Sequence, residues 1–426
     1  MMRFLRNVLI VLVLLLVGGG LLFTSSGPLF SAPAPRPDNM AVVKQALSDF
    51  KGRDNVAEPV TLRLSNKELA AGSSLAGRAL APTIVSSRLT DTQWEAGFSR
   101  PLPLGRWLNV EASLPAKDFV NSPDAIPPVQ LKIGMVRLPQ WLSGRLVKWA
   151  VRAARYKYPD LPAPSHVLKS MHFSAGEVAV TLSVPRVREI YAKASDVAGL
   201  RADDGLVRGA LCHLAAEQKR HPSTAFDEQV RRAFATPLPG KTAATDAAAP
   251  TSEARNRASM VALAIFVGGE RAHRLFYTPK IRDAACPLPP EDQIKLAGRA
   301  DLPKHWAISG AMSATMGTEM TGALGEWKEL SDSLADGTGF SFVDMTANRS
   351  GFRYGQAGTR PQTAAAITQK MQHITESALV PQAALSNKEG LANQQFTEDF
   401  SDLDSNKYRA SIAMIDGQLN RAGVPR

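Results

Sequence analysis

The sequence predicts an α+β chain with an N-terminal membrane anchor, a small α+β sheet domain and a mostly helical C-terminal domain. Three observations predict it. An unbroken apolar run at residues 8–23 follows a short basic start. Several segments between residues 57 and 186 alternate apolar and polar residues with a period of two, and from residue 187 onward the patterns are helical. With 426 residues, 44% hydrophobic and 21% charged, the chain has a globular composition and is long enough for two or three domains.

The predicted order is an anchor at 1–27, a spacer at 28–56, the α+β domain at 57–186, a helical region at 187–236, a low-complexity linker at 237–254 and a helical domain at 255–426. Residues 8–23, as a helix, would span about 24 Å, short of the roughly 30 Å hydrocarbon core. The uncharged residues 24–27 complete the crossing. Arg3 and Arg6 precede the run and no basic residue follows it directly, which places the amino terminus in the cytoplasm and the bulk outside. Cleavage near Ser31 and Ala32 is the rival reading, with Pro33 directly after that site. Prolines at 28, 33, 35 and 37 read as a spacer from the membrane. The formal charge of +11 and pI near 9.7 favour acidic surroundings. Export makes nucleic acid an unsuitable partner and leaves the inner membrane, anionic lipid or a cell-wall polymer.

In the α+β domain, Val60, Leu62 and Leu64 alternate as a strand. Ser65 and Glu68 then make a capping box that opens a helix reaching at most Leu80. Strands also follow from Leu108, Val110, Ala112 and Leu114; from Leu131, Ile133 and Met135; and from Val178, Val180, Leu182 and Val184 after the turn at Ala175 and Gly176. Leu138 leads into a helix ending near Tyr158. Its apolar stripe is Leu142, Leu146, Trp149, Ala153 and Tyr156, with Arg145, Lys148, Arg152 and Arg155 beside it. No acid occurs between Asp124 and Asp160. A solvated face beside a core stripe is one reading; contact with anionic lipid or wall polymer is the other.

Cys212 and Cys286 are the only cysteines. Export to an oxidising compartment permits one disulfide between them, and two separate buried thiols are the alternative. Neither has metal-ligand spacing. Residues 260–267 are apolar but too short to cross a membrane, so they read as a buried helix segment. Further helices are expected at 362–379 and 406–423. Asp402, Asp404 and Asn406 imitate a calcium loop but lack its glycine and bidentate glutamate.

The polar groups concentrate at 301–355. Helices are expected at 303–316 and 319–335, folding back at Gly317, and a third begins after the turn at 336–339, capped by Ser341 with Asp344. His305 lies twelve residues before Gly317 and Glu329 twelve after it. In an antiparallel hairpin both stand roughly 18 Å from the bend, at the same end. Asp332 is a turn beyond Glu329 and pairs with Lys328 at i,i+4. The short return brings Asp344 back to that end. This network either pins the hairpin and its cap or forms an acid/base or metal site, with His305, Glu326, Glu329, Asp332 and Asp344 as the candidate residues.

Asp301, His305, Gly325, Glu326, Lys328, Glu329, Asp332, Gly337, Gly339, Phe340, Ser341, Asp344, Ala347, Asn348 and Gly351 keep an order and spacing that resembles the YfiM-type lipoproteins. More distantly it is similar to the VanZ-like envelope proteins. The lipoprotein cysteine that the first resemblance implies is absent. More loosely, the strand, helix and strand pattern over residues 57–186 resembles the YpmS-type extracytoplasmic domain. Neither resemblance brings a settled reaction. With no G-x-S-x-G, H-E-x-x-H or G-x-G-x-x-G, no cofactor or metal is expected. Two function classes remain. One is a non-catalytic scaffold of the bacterial inner membrane with its bulk in the periplasm. The other is a hydrolase or lyase acting on an envelope polymer or lipid, with Glu329 or Glu326 as general acid/base and His305 as partner.

Overall fold

The computed structural model describes residues 22–31, 34–46, 59–120, 127–157, 162–183, 202–235, 249–276, 286–316 and 318–426. Most of the expected anchor, much of the linker, residues 187–201 and the fold-back residue Gly317 lie outside them. The chain divides into two units, 1–193 and 194–426. The first is α+β and the second helical. Among the described residues, no helix is long and apolar enough to cross a membrane.

The first unit is built on two antiparallel sheets. One has the order β3 (Ile84–Leu89), β4 (Gln93–Pro101), β5 (Trp107–Pro115), β7 (Gln130–Ile133) and β8 (Val136–Arg137). The other runs β2 (Val60–Ser65), β10 (Glu177–Leu182), β9 (Leu168–Ser174) and β6 (Phe119–Val120). Alternation predicted β2, β5 and β10; β2 and β10 turn Val60, Val178 and Val180 into the core, whereas on β5 the buried residue is Asn109, on the face opposite Leu108 and Val110. Ser65 caps α2 (Asn66–Ala79) through the expected reciprocal box with Glu68. Leu69, Leu89, Met171, Val178 and Val180 form the core between helix and sheet. Sequence reading missed β3 and β9, whose polar and apolar residues mix on both faces, and also β4, although Trp94, Ala96 and Phe98 alternate there with Gln93, Glu95 and Ser99.

Several expectations need correction. Met135 is not a strand residue but sits in the β7–β8 turn, where Gly134 takes a φ of 58°. A side chain at Gly134 would also overlap the backbone of Leu22 and Phe23. Residues 24–27 do not complete a membrane crossing. Thr24–Ser25 form β1, paired with Trp107 and Leu108 of β5. The spacer is not open chain throughout, because α1 (Pro37–Ala46) forms within it, with Pro37 in its first turn.

The apolar stripe expected to face the core of α3 (Gln140–Lys157) faces outward instead. Trp149 and Tyr156 are 67% and 89% exposed. The less exposed side carries Ser143, Val147, Val151 and Ala154, about 100° further round the helix. Ser143 fixes this rotation: its hydroxyl accepts from the Leu131 N–H at 3.0 Å and reaches the Pro139 carbonyl at 3.2 Å.

In the second unit, α4 (Asp204–Arg220), α5 (Phe226–Phe234) and α7 (Leu302–Met316) pack around α6 (Ser252–Phe276). Residues 260–266 of α6 are almost wholly buried. The remaining helices are α8 (Thr318–Asp332), α9 (Phe342–Gly358), α10 (Ala364–Met371), α11 (Glu376–Leu379), α12 (Asn393–Phe400) and α13 (Asn406–Arg421). The single helix expected at 362–379 is two, and α12 was not foreseen.

The crossing of α7 and α9 positions everything that follows. A methyl at Gly351 would overlap the Trp306 carbonyl oxygen, and one at Gly355 that of Gly310. Glycine therefore sets the interhelical distance. Phe340, Phe342, Phe396, Phe400 and Tyr408 stack around the start of α9, with ring centroids 4.6 to 6.3 Å apart, and hold the return loop.

Candidate functional site

His305 of α7, Glu329 of α8 and Asp344 of α9 meet at one end of these three helices. Asn348, one turn after Asp344, lies 3.1 Å from Nδ1 of His305 through its Oδ1, which also accepts from the Ser309 hydroxyl at 2.9 Å. An amide oxygen only accepts, so Nδ1 carries the proton and Nε2 keeps its lone pair. That lone pair faces the Lys328 ammonium at 3.1 Å, with Asp344 Oδ2 at 3.3 Å. Lys328 Nζ also lies 3.5 Å from Glu329 Oε1 and pairs with Asp332. Glu329 Oε1 is 3.8 Å from His305 Nδ1, and its Oε2 accepts the Ser341 N–H at 3.2 Å. The capping expectation is thus modified. Ser341 Oγ accepts from the Asp344 N–H, while a carboxylate from another helix accepts the N-cap's own N–H.

Arg299 closes the other side. Its guanidinium donates to Asp344 Oδ1 at 2.9 Å, to Glu389 at 2.5 Å and to both oxygens of Asp301. Sequence reading missed Arg299; its place two residues before Asp301, at a helix start, was the available signal. Glu326 is buried on α8 and accepts from the Tyr408 hydroxyl at 3.1 Å, so it serves the joint with α13.

Burial sets the electrostatics. The side chains of Glu329, Asp344 and His305 are 0%, 7% and 10% exposed, while that of Lys328 is 47% exposed. Burial, with the neighbouring Asp344 and Asp332 charges, pushes the Glu329 carboxyl up to about 8. Burial beside Asp301 raises Asp344 to about 6, against the pull of Arg299. Burial and the adjacent Lys328 ammonium lower His305 to about 4, so its ring is neutral at pH 7. Burial works against the Lys328 charge, but Glu329 and Asp332 outweigh it and its pKa is raised.

His305, Glu329 and Asp344 each offer one ligand atom, all within 4.8 Å of one another. An N,O,O set of this kind suits a divalent cation. The Lys328 ammonium already lies among the same atoms, so a metal ion would have to displace it. No local metal-ligand motif marks these three residues, since each comes from a different helix; the equal spacing of His305 and Glu329 about Gly317 and the short return to Asp344 are what bring them together.

The other singled-out residues lie elsewhere. Cys212 of α4 and Cys286 are joined in a disulfide. Arg145, Lys148, Arg152 and Arg155 are all exposed along α3, and the Arg145 guanidinium lies 5.3 Å above the Trp141 ring. Compared with protein-family models, curated proteins and solved structures, the chain matches none.

Proposed function

We propose that this chain is an extracytoplasmic envelope protein, tethered to the bacterial inner membrane by residues 8–23, with a helical unit that is a non-catalytic scaffold. One observation carries the scaffold reading. Glu329 has no exposed surface, and its neighbours Ser341, Lys328 and His305 all come from within the unit. A general acid or base must come within about 3 Å of the proton it moves, and no substrate reaches Glu329 in this arrangement. The network instead pins three helix ends together. Export is supported by the arginines ahead of the apolar run, by a disulfide of the kind oxidising compartments sustain, and by the resemblance of residues 301–355 to the YfiM-type lipoproteins.

A second reading, a hydrolase or lyase, is favoured by the half-exposed Lys328. Swinging that side chain outward would uncover Nε2 of His305 and the Asp344 carboxyl. One variant separates the two. Glu329→Gln imitates the protonated acid, so it folds in either case. A strain lacking the chain should be fully complemented by this variant if the unit is a scaffold. Loss of complementation at unchanged stability would establish the acid/base reading instead. For localisation, a reporter active only outside the cytoplasm, fused after Arg426, should be active; an inactive fusion to a stable protein overturns export.

A further inference from the structure

We propose that α3 is an interfacial helix that lies on the surface of an anionic phospholipid bilayer, beside the point where the chain leaves its anchor. The proposal rests on the tethered reading only for that last clause.

The outward stripe of α3 is large and apolar. Trp141, Trp149 and Tyr156 are 62%, 67% and 89% exposed, and Leu146 is exposed among them. Three aromatic rings left in water on a single helix face forgo substantial burial energy. The adjoining stripe is purely cationic, with Arg145, Lys148, Arg152 and Arg155 at intervals of three and four residues. No aspartate or glutamate occurs from residue 125 to 159. Tryptophan and tyrosine prefer the headgroup level of a bilayer, and lysine and arginine beside them reach anionic phosphates. A wall polymer would satisfy the cations but offers no apolar phase for the rings. A protein partner's groove would not call for cations of one sign along the whole helix.

The sheet fixes where this helix stands. β1 and β7 lie end to end along the same edge of β5, pairing with residues 107–108 and 110–113. Met135 N–H donates to the Leu22 carbonyl at 3.0 Å, which ties the end of the expected anchor to the turn five residues before α3 begins. Leu22, Phe23 and Met135 are exposed at that junction, at 48%, 41% and 70%. Exposed apolar side chains thus stand both at the anchor's end and along the outward face of the helix that begins five residues after Met135.

The test uses the full chain reconstituted into nanodiscs of phosphatidylcholine alone, or with an equal part of phosphatidylglycerol, each also prepared with brominated acyl chains. In anionic discs brominated lipid should quench tryptophan fluorescence. Trp141→Phe with Trp149→Phe should remove most of that quenching while leaving the other four of the six tryptophans. Each basic residue at such a surface contributes roughly fivefold to association, so Arg145, Lys148, Arg152 and Arg155 changed together to Gln should abolish docking at unchanged circular dichroism. Quenching that is no greater than in the Trp→Phe variant overturns the proposal. So does shielding of these tryptophans by peptidoglycan fragments or by a second copy in lipid-free solution. Failure of the wild-type chain to enter phosphatidylcholine discs, with quenching kept in anionic ones, would remove the tether and leave the docking of α3 standing.

Discussion

At the scale of single residues, Glu329 stays protonated up to about pH 8 because it is buried, while its ordinary pKa is 4.5. Between those values the folded chain keeps a proton that the unfolded chain has released, so stability falls as pH rises. Asp344 acts in the same direction from 3.8 to about 6, and His305 in the opposite direction from about 4 to 6.5. Between pH 6.5 and 8 Glu329 is the only one of the three that titrates. Raising the pH across this interval should cost about 2 kcal/mol, at roughly 1.4 kcal/mol per unit. Denaturant melts of the wild type should show that loss, and Glu329→Gln should flatten it; equal slopes in both would refute the buried, protonated acid. Arg299 holds the Asp344 charge from the other side. Arg299→Ala should cost about 3 kcal/mol at pH 7, because it leaves a buried carboxylate unpaired. The loss should shrink at pH 5, where Asp344 takes up a proton; a loss independent of pH would mean that the guanidinium only packs.

Whole elements depend on a few contacts that sequence patterns encode weakly. The α7–α9 crossing needs glycine at 351, where any side chain meets the Trp306 carbonyl. Gly351→Ala should destabilise by about 3 kcal/mol through overpacking, or prevent folding. Gly322 of α8 has open space around it, so Gly322→Ala should be neutral or stabilising by about 0.5–1 kcal/mol. Thermal melts of the two variants check the pair, and similar shifts would discount the crossing. α3 teaches a related lesson. Its 3.6-residue period was correct and its facing was wrong, because Ser143 docks on β7 and rotates the small residues inward.

Across the molecule, the Cys212–Cys286 bridge closes a loop with a sequence separation of 74 within the helical unit. In the chain-entropy model such closure contributes about 4.5 kcal/mol before strain. Reduction should therefore lower the melting temperature of this unit markedly, and Cys212→Ser with Cys286→Ser should reproduce the shift. Two free thiols titrated in protein isolated without reductant would overturn the bridge.

Local sequence was enough for much of this protein. The Ser65–Glu68 box, the alternation at Val178 and Val180 and the equal spacing of His305 and Glu329 about Gly317 act through neighbours a few residues away or along one hairpin. The sequence therefore determined that the chain is α+β, that its second half is helical and that His305 and Glu329 share one end. Tertiary structure alone decided that Arg299 and Asn348 complete the cluster and that Glu326 turns to Tyr408. It alone decided that Glu329 is sealed while Lys328 is half open, and that the aromatic face of α3 looks outward. Those outcomes depend on which surfaces distant segments cover, and a helical or strand period records that a face is apolar without recording what, if anything, lies against it.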